Sequence, residues 1–206
     1  RNVINKVKHG KDVSKLPAIV FPEGHSDKVL RACQIIMEEG VARPIILGNE
    51  NTVRGKIKEH GLSQLNDVEI IQPIKSERFG LYARKLYEMR ARRGVTLLEA
   101  ERLVYDPNYF AAMMVQTGDA SGMINGITQN YADSVKPILR VLGNKAGHTA
   151  AGIYIVLLKN RLMFFADTTV NIDPNPDQLA MIALDCAEFA TFFDVTPRIA
   201  MLSFSN

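Results

Sequence analysis

Residues 18–40, AIVFPEGHSDKVLRACQIIMEEG, contain the pattern that decides the fold class. The run AIVF (18–21) is short, β-branched and aromatic, which is typical of a buried strand. A turn follows, and Ser26 or the aspartate after it is suited to cap the next helix. Apolar residues then recur every three or four positions over 29–37, and Gly40 is placed to end that helix. The stretch therefore predicts a strand, a turn and an amphipathic helix.

The same unit repeats further along the chain. Pro44 introduces a second short apolar strand, which is followed by a polar helix over residues 51–60. A third strand is predicted at 68–71, and Ser76 is suited to cap a long helix after it. Short buried strands that alternate with helices indicate a parallel sheet covered on both faces. We therefore predict a doubly wound α/β domain, in which ligands bind at the carboxyl ends of the strands.

A glycine-containing loop at residues 122–137, GMINGITQNYADSVKP, is a candidate anion site. Thr128, Asn130 and Asp133 are all good helix caps, so a helix should begin within the loop. Exposed amides at a helix start favour a phosphate or carboxylate, and Lys136 adds a cation. The proline after Lys136 predicts a break in the helix there. The alternative is an ordinary strand-to-helix connection with a solvated lysine.

Clear signals for the starts and ends of helices follow an arginine-rich segment, MRARRG (89–94). The segment is typical of a solvated helix end, although one arginine turned inward would be a natural clamp for an anion. Thr96 opens TLLE, which fits a capping box. Asp106 precedes a proline and is suited to cap another helix, which Gly118 should end.

A second lobe is predicted after the flexible segment 142–146. Residues 151–158 and 161–166 fit two strands of a hairpin, a change from the parallel units before them. A polar loop leads to a helix that begins at Asp177, and Pro197 introduces a final apolar run that fits a strand. We therefore expect residues 1–142 to form one α/β lobe with an N-terminal linker, and residues 143–206 to form part of a second α/β lobe.

The composition favours small anionic ligands. The chain has 206 residues, of which 47% are hydrophobic, and a net charge of +3 with both signs interspersed, so we expect no nucleic-acid partner. Cys33 and Cys186 lie in apolar surroundings and are predicted to be buried reduced thiols, with no spacing that would make them zinc ligands. No apolar run is long enough for a signal peptide core or a membrane span, so we expect a cytoplasmic protein without a membrane partner.

Six motifs resemble those of the phosphate acetyltransferase family in their order and spacing. They are FPEG (21–24), LYEMRARRGVT (86–96), DPNYFAAMMV (106–115), ADSVKP (132–137), FADTTVNIDP (165–174) and MLSFSN (201–206). The resemblance implies an isocitrate-dehydrogenase-like fold of two domains, with a cleft that receives coenzyme A and acyl phosphate. It also implies that the chain is incomplete at its C-terminal side.

Two motifs resemble one branch of the family more than the others. ADTTVNIDP and SFSN are similar to the C-terminal domain of large bacterial NADP-dependent malic enzymes. That resemblance implies a catalytically inactive regulatory domain that senses acetyl-CoA or another acyl-CoA and takes part in a homo-oligomer. NADP and a divalent metal would belong to a separate N-terminal malic enzyme module, which oxidatively decarboxylates malate to pyruvate. The alternative is an active phosphate acetyltransferase.

The resemblance also suggests which residues bind the ligand. The arginine of the family's LYELR motif falls on Arg90, and that of its ADTxRP motif falls on Lys136. Lysine keeps the charge but lacks the planar, two-pronged fork of arginine. With the loop residues Thr128 and Asn130, and Asn206 at the end of SFSN, these form the predicted site for acetyl-CoA or phosphate. No catalytic residue and no metal ligand is assigned, since the family's coenzyme-side serine, arginine and aspartate lie beyond SFSN.

Overall fold

A computed structural model describes residues 16–159 and 161–202. The chain divides after Leu142 into two compact units. The elements of the first unit are β1 (Ala18–Phe21), α1 (Asp27–Glu39), β2 (Arg43–Leu47), α2 (Glu50–Glu59), β3 (Glu69–Ile71), α3 (Phe79–Arg90), α4 (Leu97–Tyr105), α5 (Pro107–Thr117), β4 (Gly122–Met123) and α6 (Tyr131–Val141), with short 3-10 turns at Ser63–Leu65, Pro73–Lys75 and Ala91–Arg93.

The four strands of the first unit form one parallel sheet in the order β3-β2-β1-β4. The chain starts at β1, moves outward to β3 and returns to β4 on the other side of β1. The direction of winding therefore reverses between β1 and β4, and the loops that follow these two strands meet at that point. This arrangement confirms the predicted α/β fold with a mostly parallel sheet.

Both faces of this sheet are covered. Alternate strand residues point to opposite sides, so Val20 and Ile45 belong to one buried cluster while Phe21 and Ile46 belong to the other. The first cluster contains residues from α3, α4 and α5, and Tyr82 and Phe110 meet edge to face in it with ring centroids 5.0 Å apart. The second contains residues from α1 and α2. Burial of each large side chain stabilises the unit by about 1.5–3 kcal/mol.

Most helices begin and end where the capping residues of the sequence predict. The amide of Gly40, in a left-handed conformation with φ of 61°, donates to two carbonyls of the last turn of α1. Thr96 accepts a hydrogen bond from the Glu99 amide at the start of α4, and Asp106 caps α5. Helix α3 begins later than predicted from Ser76, with Arg78 at its N-cap position. The Ser76 hydroxyl oxygen still accepts the Arg78 amide at 3.2 Å, just before the helix.

The second unit contains a hairpin and one long helix. Strands β5 (Ile153–Leu158) and β6 (Arg161–Ala166) are antiparallel, which confirms the predicted hairpin. Helix α7 (Pro176–Thr191) begins one residue before the predicted Asp177, because the Asn175 and Gln178 side chains form a capping box. The strand predicted after Pro197 is wrong as far as residue 202, the last one described, since residues 197–202 join no sheet.

Phenylalanines pack the hairpin against α7 within the second unit. Phe164 of β6 lies 5.9 Å from Phe189 and 5.5 Å from Phe193 between ring centroids. Phe192 is 75% exposed and takes no part in this cluster.

The two cysteines differ in burial. Cys33 is fully buried, and this burial raises the pKa of its thiol to about 12. Cys186 is only half-buried, so the prediction of a buried thiol holds for Cys33 alone. Among the residues that the structure describes, no helix combines the length and the apolar character needed to cross a membrane.

Candidate functional site

Helix α6 runs without interruption through the predicted break. Pro137 lies inside Tyr131–Val141, so the prediction that the helix breaks at Lys136 is wrong. Pro137 and Val141 are both buried in this helix, which packs against α5, and we attribute its continuity across the proline to that packing. Lys136 is an exposed residue in the middle of this helix. Asn130 is the N-cap, and its side-chain oxygen accepts the amide of Asp133 at 3.0 Å, as the sequence predicts.

The glycine loop between β4 and α6 binds a carboxylate of the chain itself. Glu23, in the loop after β1, accepts the amides of Gly126 at 2.7 Å, Ile127 at 3.0 Å and Thr128 at 2.6 Å. The Thr128 hydroxyl also donates to it. We call this set of hydrogen bonds the Glu23 clamp. These amides do attract an anion, as expected for such a loop, but the anion they hold is Glu23.

The backbone on both sides of the clamp requires glycine. Gly126 has φ of 99°, a conformation that residues with a Cβ rarely adopt. Gly24 lies so close to β2 that a Cβ there would be 2.4 Å from Ile46 Cγ2 and 2.5 Å from the Leu47 carbonyl oxygen. The FPEG motif therefore supplies both the carboxylate and the residue that lets its loop approach the sheet.

The clamp holds Glu23 in its ionised form. The side chain is 2% exposed, and this burial alone would raise its pKa. The hydrogen bonds from the Thr128 hydroxyl and from the amides of Ile127, Thr128 and Gly126 outweigh the burial and lower the pKa below its usual value. A buried charge with four donors is a stable structural feature of the switch point rather than an open ligand site.

Arg90, the last residue of α3, is half-buried and binds the other end of α6. Its Nε donates to the Arg140 carbonyl at 2.7 Å, and its Nη2 donates to the Leu139 carbonyl at 3.4 Å. These carbonyls belong to the last turn of α6, where helical partners are missing and a cation is favoured. Burial, followed by the charges of Arg93 and Arg140, lowers the pKa of the Arg90 guanidinium.

A cavity of about 220 Å³ opens beside Arg90, and we call it the arginine cavity. Three arginines line it, Arg90, Arg93 and Arg140, together with one acidic residue, Glu99. Tyr109 also lines it and accepts a hydrogen bond from Arg140 Nη1 at 3.1 Å. Like charges that gather around one cavity repel each other, so the arrangement favours an anion that they share.

The predicted site residues do not form a single cluster among the described residues. Thr128 and Asn130 lie at the amino end of α6, whereas Arg90 contacts its carboxyl end, roughly 16 Å away for a helix of this length. Lys136 lies between them on an exposed surface. Asn206 lies outside the described residues, so the structure says nothing of it.

Several residues of these sites are not among the predicted ligand-binding residues. Glu23 belongs to a quoted motif, yet its partners are more than a hundred positions away. Arg93 belongs to the arginine-rich segment, and it is this residue that lines the cavity with Arg90. Arg140 and Tyr109 carry no local signal, because α6 and α5 bring them to the cavity only in the folded unit.

Comparisons with known proteins agree on one family. The chain matches the family model "Phosphate acetyl/butaryl transferase" over residues 2–206. It is 37% identical over 206 residues to the phosphate acetyltransferase of Nitratidesulfovibrio vulgaris, a match that covers 100% of this chain and 28% of that protein. It is also 37% identical over 193 residues to the NADP-dependent malic enzyme of Escherichia coli, covering 91% of this chain and 25% of that protein.

A solved structure has the same fold. A phosphotransacetylase from Streptococcus pyogenes superimposes with a TM-score of 0.89 at 36% sequence identity, and the match covers 99% of this chain and 61% of that one. The chain thus spans less than two thirds of the length of each of these relatives. Since both kinds of protein are among them, the malic enzyme branch stays a prediction.

Proposed function

Because the chain belongs to the phosphate acetyl/butaryl transferase family, we propose that its parent protein transfers an acyl group between an acyl phosphate and coenzyme A. The arginine cavity is the observation that supports this proposal. An acyl phosphate carries a compact group of negatively charged oxygens, and guanidinium groups bind such oxygens in pairs. The family of the chain and the charge of the cavity therefore favour the same class of ligand.

The arrangement around Arg90 suits a phosphate for a second reason. The last turn of α6 already holds Arg90 through its Nε and Nη2 atoms, so this side chain needs little further ordering to bind a ligand. Arg93 and Arg140 are more exposed and are the side chains that an incoming phosphate would order. Glu99, which also lines the cavity, offsets part of the positive charge of the three arginines.

The reaction needs only a displacement at the acyl carbon. The coenzyme A thiolate attacks the carbonyl of the acyl phosphate, a carbon–sulfur bond forms, and the carbon–oxygen bond to phosphate breaks. Phosphate leaves with the electron pair of that bond, and the thiol proton passes to a base. Arginines around the phosphate stabilise the charge that develops on the leaving group.

Acetyl-CoA formation from acetyl phosphate and coenzyme A, measured with the full-length protein that contains this chain, tests the proposal. We expect Arg93→Ala and Arg140→Ala each to lower kcat/KM for acetyl phosphate by about 10- to 100-fold, since each removes a charged hydrogen-bond donor. Arg92→Ala is the matched control, because Arg92 is exposed beside Arg93 and does not line the cavity. An inactive wild type contradicts the proposed reaction, and equal losses in all three variants contradict the role of the cavity.

A second candidate function is regulation by acetyl-CoA. Two observations favour it: Lys136 stands where the family motif has an arginine, and a malic enzyme is among the relatives at 37% identity. That match covers 25% of the malic enzyme, which leaves room for a separate catalytic module in such a protein. Under this second candidate function, acetyl-CoA is an effector and the chain takes part in a homo-oligomer. NADP and a divalent metal belong to the separate module.

Malate-dependent NADPH formation by the full-length protein, measured while acetyl-CoA is titrated, distinguishes the two candidates. A saturable change in rate supports the regulatory function, for which a coupling free energy of about 1–3 kcal/mol is typical. Absence of malate oxidation together with acetyl-CoA synthesis supports the transferase. Malate oxidation that ignores acetyl-CoA contradicts the regulatory function.

A further inference from the structure

A buried tyrosine of α5 reaches the arginine cavity with its hydroxyl group. Tyr109 is only 6% exposed and belongs to the buried cluster that contains residues of α3, α4 and α5. Its hydroxyl oxygen accepts a hydrogen bond from Nη1 of Arg140 at 3.1 Å. Both residues line the arginine cavity, so the oxygen end of Tyr109 lies at the cavity wall. Tyr109 therefore brings one hydroxyl group to the boundary between the apolar core and the cavity.

The hydrogen of this hydroxyl group has no acceptor in the part of the chain that the structure describes. A tyrosine hydroxyl can donate one hydrogen bond in addition to those that it accepts, and the only bond made by the Tyr109 hydroxyl within residues 16–159 and 161–202 is the one from Arg140. Tyr82 of the same cluster is different, because its hydroxyl donates to Oδ2 of Asp119 at 2.6 Å. Buried polar groups are nearly always satisfied. The Tyr109 hydroxyl thus offers an unused donor at the cavity wall.

A phosphate oxygen is a suitable acceptor for this donor. Hydrogen bonds to ionised acceptors are stronger than those between neutral groups. A hydroxyl that already accepts from a guanidinium is polarised, which makes it a better donor. We propose that the Tyr109 hydroxyl donates a hydrogen bond to a phosphate oxygen in the arginine cavity and, by accepting from Arg140, positions that guanidinium for the same phosphate. This inference rests on the proposed function, in which the cavity binds the phosphate of an acyl phosphate.

Tyr109 adds a donor to the cavity without adding a fourth positive charge. The three arginines that line the cavity repel each other, whereas a neutral hydroxyl brings no further repulsion. The position of Tyr109 is also fixed before any ligand binds. Its amide lies 3.4 Å from Oδ1 of Asp106, the N-cap residue of α5, and its ring is buried. Binding therefore costs little side-chain entropy at Tyr109, and its bond to Arg140 restricts an otherwise exposed side chain.

The affinity of the full-length protein for inorganic phosphate, measured by isothermal titration calorimetry, tests the proposed hydrogen bond. Tyr109→Phe removes the oxygen and keeps the ring. We expect this variant to have a Kd for inorganic phosphate about 10-fold higher than that of the wild type, a usual effect of losing a hydrogen bond to a charged group. Tyr82→Phe is the matched control, since it removes a buried hydroxyl from the same cluster at a residue that does not line the cavity. Its Kd should equal that of the wild type.

Acetyl-CoA formation by the same proteins tests whether the phosphate belongs to the substrate. Tyr109→Phe should raise KM for acetyl phosphate by about 10-fold and leave KM for coenzyme A unchanged, because only the phosphate loses a contact. Arg140→Ala combined with Tyr109→Phe should cost less than the product of the two single losses, since Tyr109 acts partly through Arg140. A variant that only disturbed packing would not separate the two KM values in this way.

The outcomes separate this inference from the function on which it rests. Unchanged phosphate affinity in Tyr109→Phe overturns the inference, and so do equal losses in Tyr109→Phe and Tyr82→Phe or a wild type that binds no inorganic phosphate. Losses that multiply in the double variant overturn the positioning of Arg140. A selective loss of phosphate affinity in Tyr109→Phe supports the inference. If the wild type then forms no acetyl-CoA, or KM for acetyl phosphate is unchanged, the proposed use of the cavity in acyl transfer is contradicted instead.

Discussion

Replacement of Glu23 by glutamine should destabilise the first unit in a way that depends on pH. Glu23 accepts two hydrogen bonds at each carboxylate oxygen, from Gly126 and Ile127 at Oε2 and from the amide and hydroxyl of Thr128 at Oε1. Glutamine offers one oxygen and one amide group, so two donors lose their acceptor. An unsatisfied buried donor costs about 1–3 kcal/mol, but Gly126, Ile127 and Thr128 are exposed residues, so water can satisfy part of what is lost. We therefore expect a loss of about 2 kcal/mol at pH 7.

The decrease in the free energy of unfolding that Glu23→Gln causes should be smaller in acid. The pKa of Glu23 is lower in the folded protein than its usual value, because the clamp outweighs the burial that alone would raise it. Its contribution to stability is therefore complete above the carboxyl pKa of the unfolded chain and is lost as the pH falls through the lowered folded pKa. Below that pH the wild type carries a neutral carboxyl group, which resembles glutamine, and the two proteins should differ by less than about 1 kcal/mol.

Urea denaturation at a series of pH values, with wild type and Glu23→Gln side by side, measures this difference. Glu101→Gln is the matched control, since Glu101 is an exposed residue of α4 and its loss should change the free energy of unfolding by less than about 0.5 kcal/mol. A difference between wild type and Glu23→Gln that stays constant over the pH range, or that is no larger than that of the control at pH 7, would refute the reasoning.

Two further predictions concern backbone packing and the second unit. Gly24→Ala should lower the free energy of unfolding by about 2–4 kcal/mol, because its Cβ would lie 2.5 Å from the Leu47 carbonyl oxygen. Gly80→Ala is the paired variant: Gly80 lies in α3 with no atom within 4 Å of a Cβ, so thermal denaturation should show a gain of about 0.5–1 kcal/mol. Equal effects of the two alanines would contradict the packing argument. Asp167→Asn should destabilise the protein at pH 7 and much less in acid, since hydrogen bonds led by the Gly152 amide outweigh burial and lower the pKa of Asp167. Faster hydrogen exchange at the Asn171 amide, which donates to Asp167 at 2.7 Å, would report the change locally, and unaltered exchange there would contradict it.

The local sequence pattern is sufficient to predict the repeated units of strand and helix. The stripe of α1, the glycine that ends it and the Asp106 cap of α5 all depend on residues within a few positions, so the sequence displays them directly. The parallel sheet follows because strands that alternate with helices have few other ways to bury both faces. The hairpin of the second unit was predictable for the same reason, since two apolar runs with a short connection pair with each other.

Predictions from the local sequence pattern are wrong or incomplete where tertiary contacts determine the structure. The proline after Lys136 predicts a break, but packing of α6 in the first unit keeps the helix continuous. The glycine loop predicts an anion without indicating that Glu23 is that anion, because the two segments meet only when β4 pairs with β1. The arginine cavity likewise needs α3 and the end of α6 to come together.

The Glu23 clamp also has a consequence for how the first unit folds. The carboxylate and the amides that it binds are separated by 103 to 105 positions in the chain. Closing so long a loop is entropically unfavourable, and it requires β4, a strand of two residues, to have docked beside β1. We expect contacts of such long sequence separation to form after the local helices and the pairing of β1 with β2. We therefore expect Glu23→Gln to accelerate unfolding and to leave the rate of refolding almost unchanged. The loops at the switch point thus acquire their final shape in the last stage of folding.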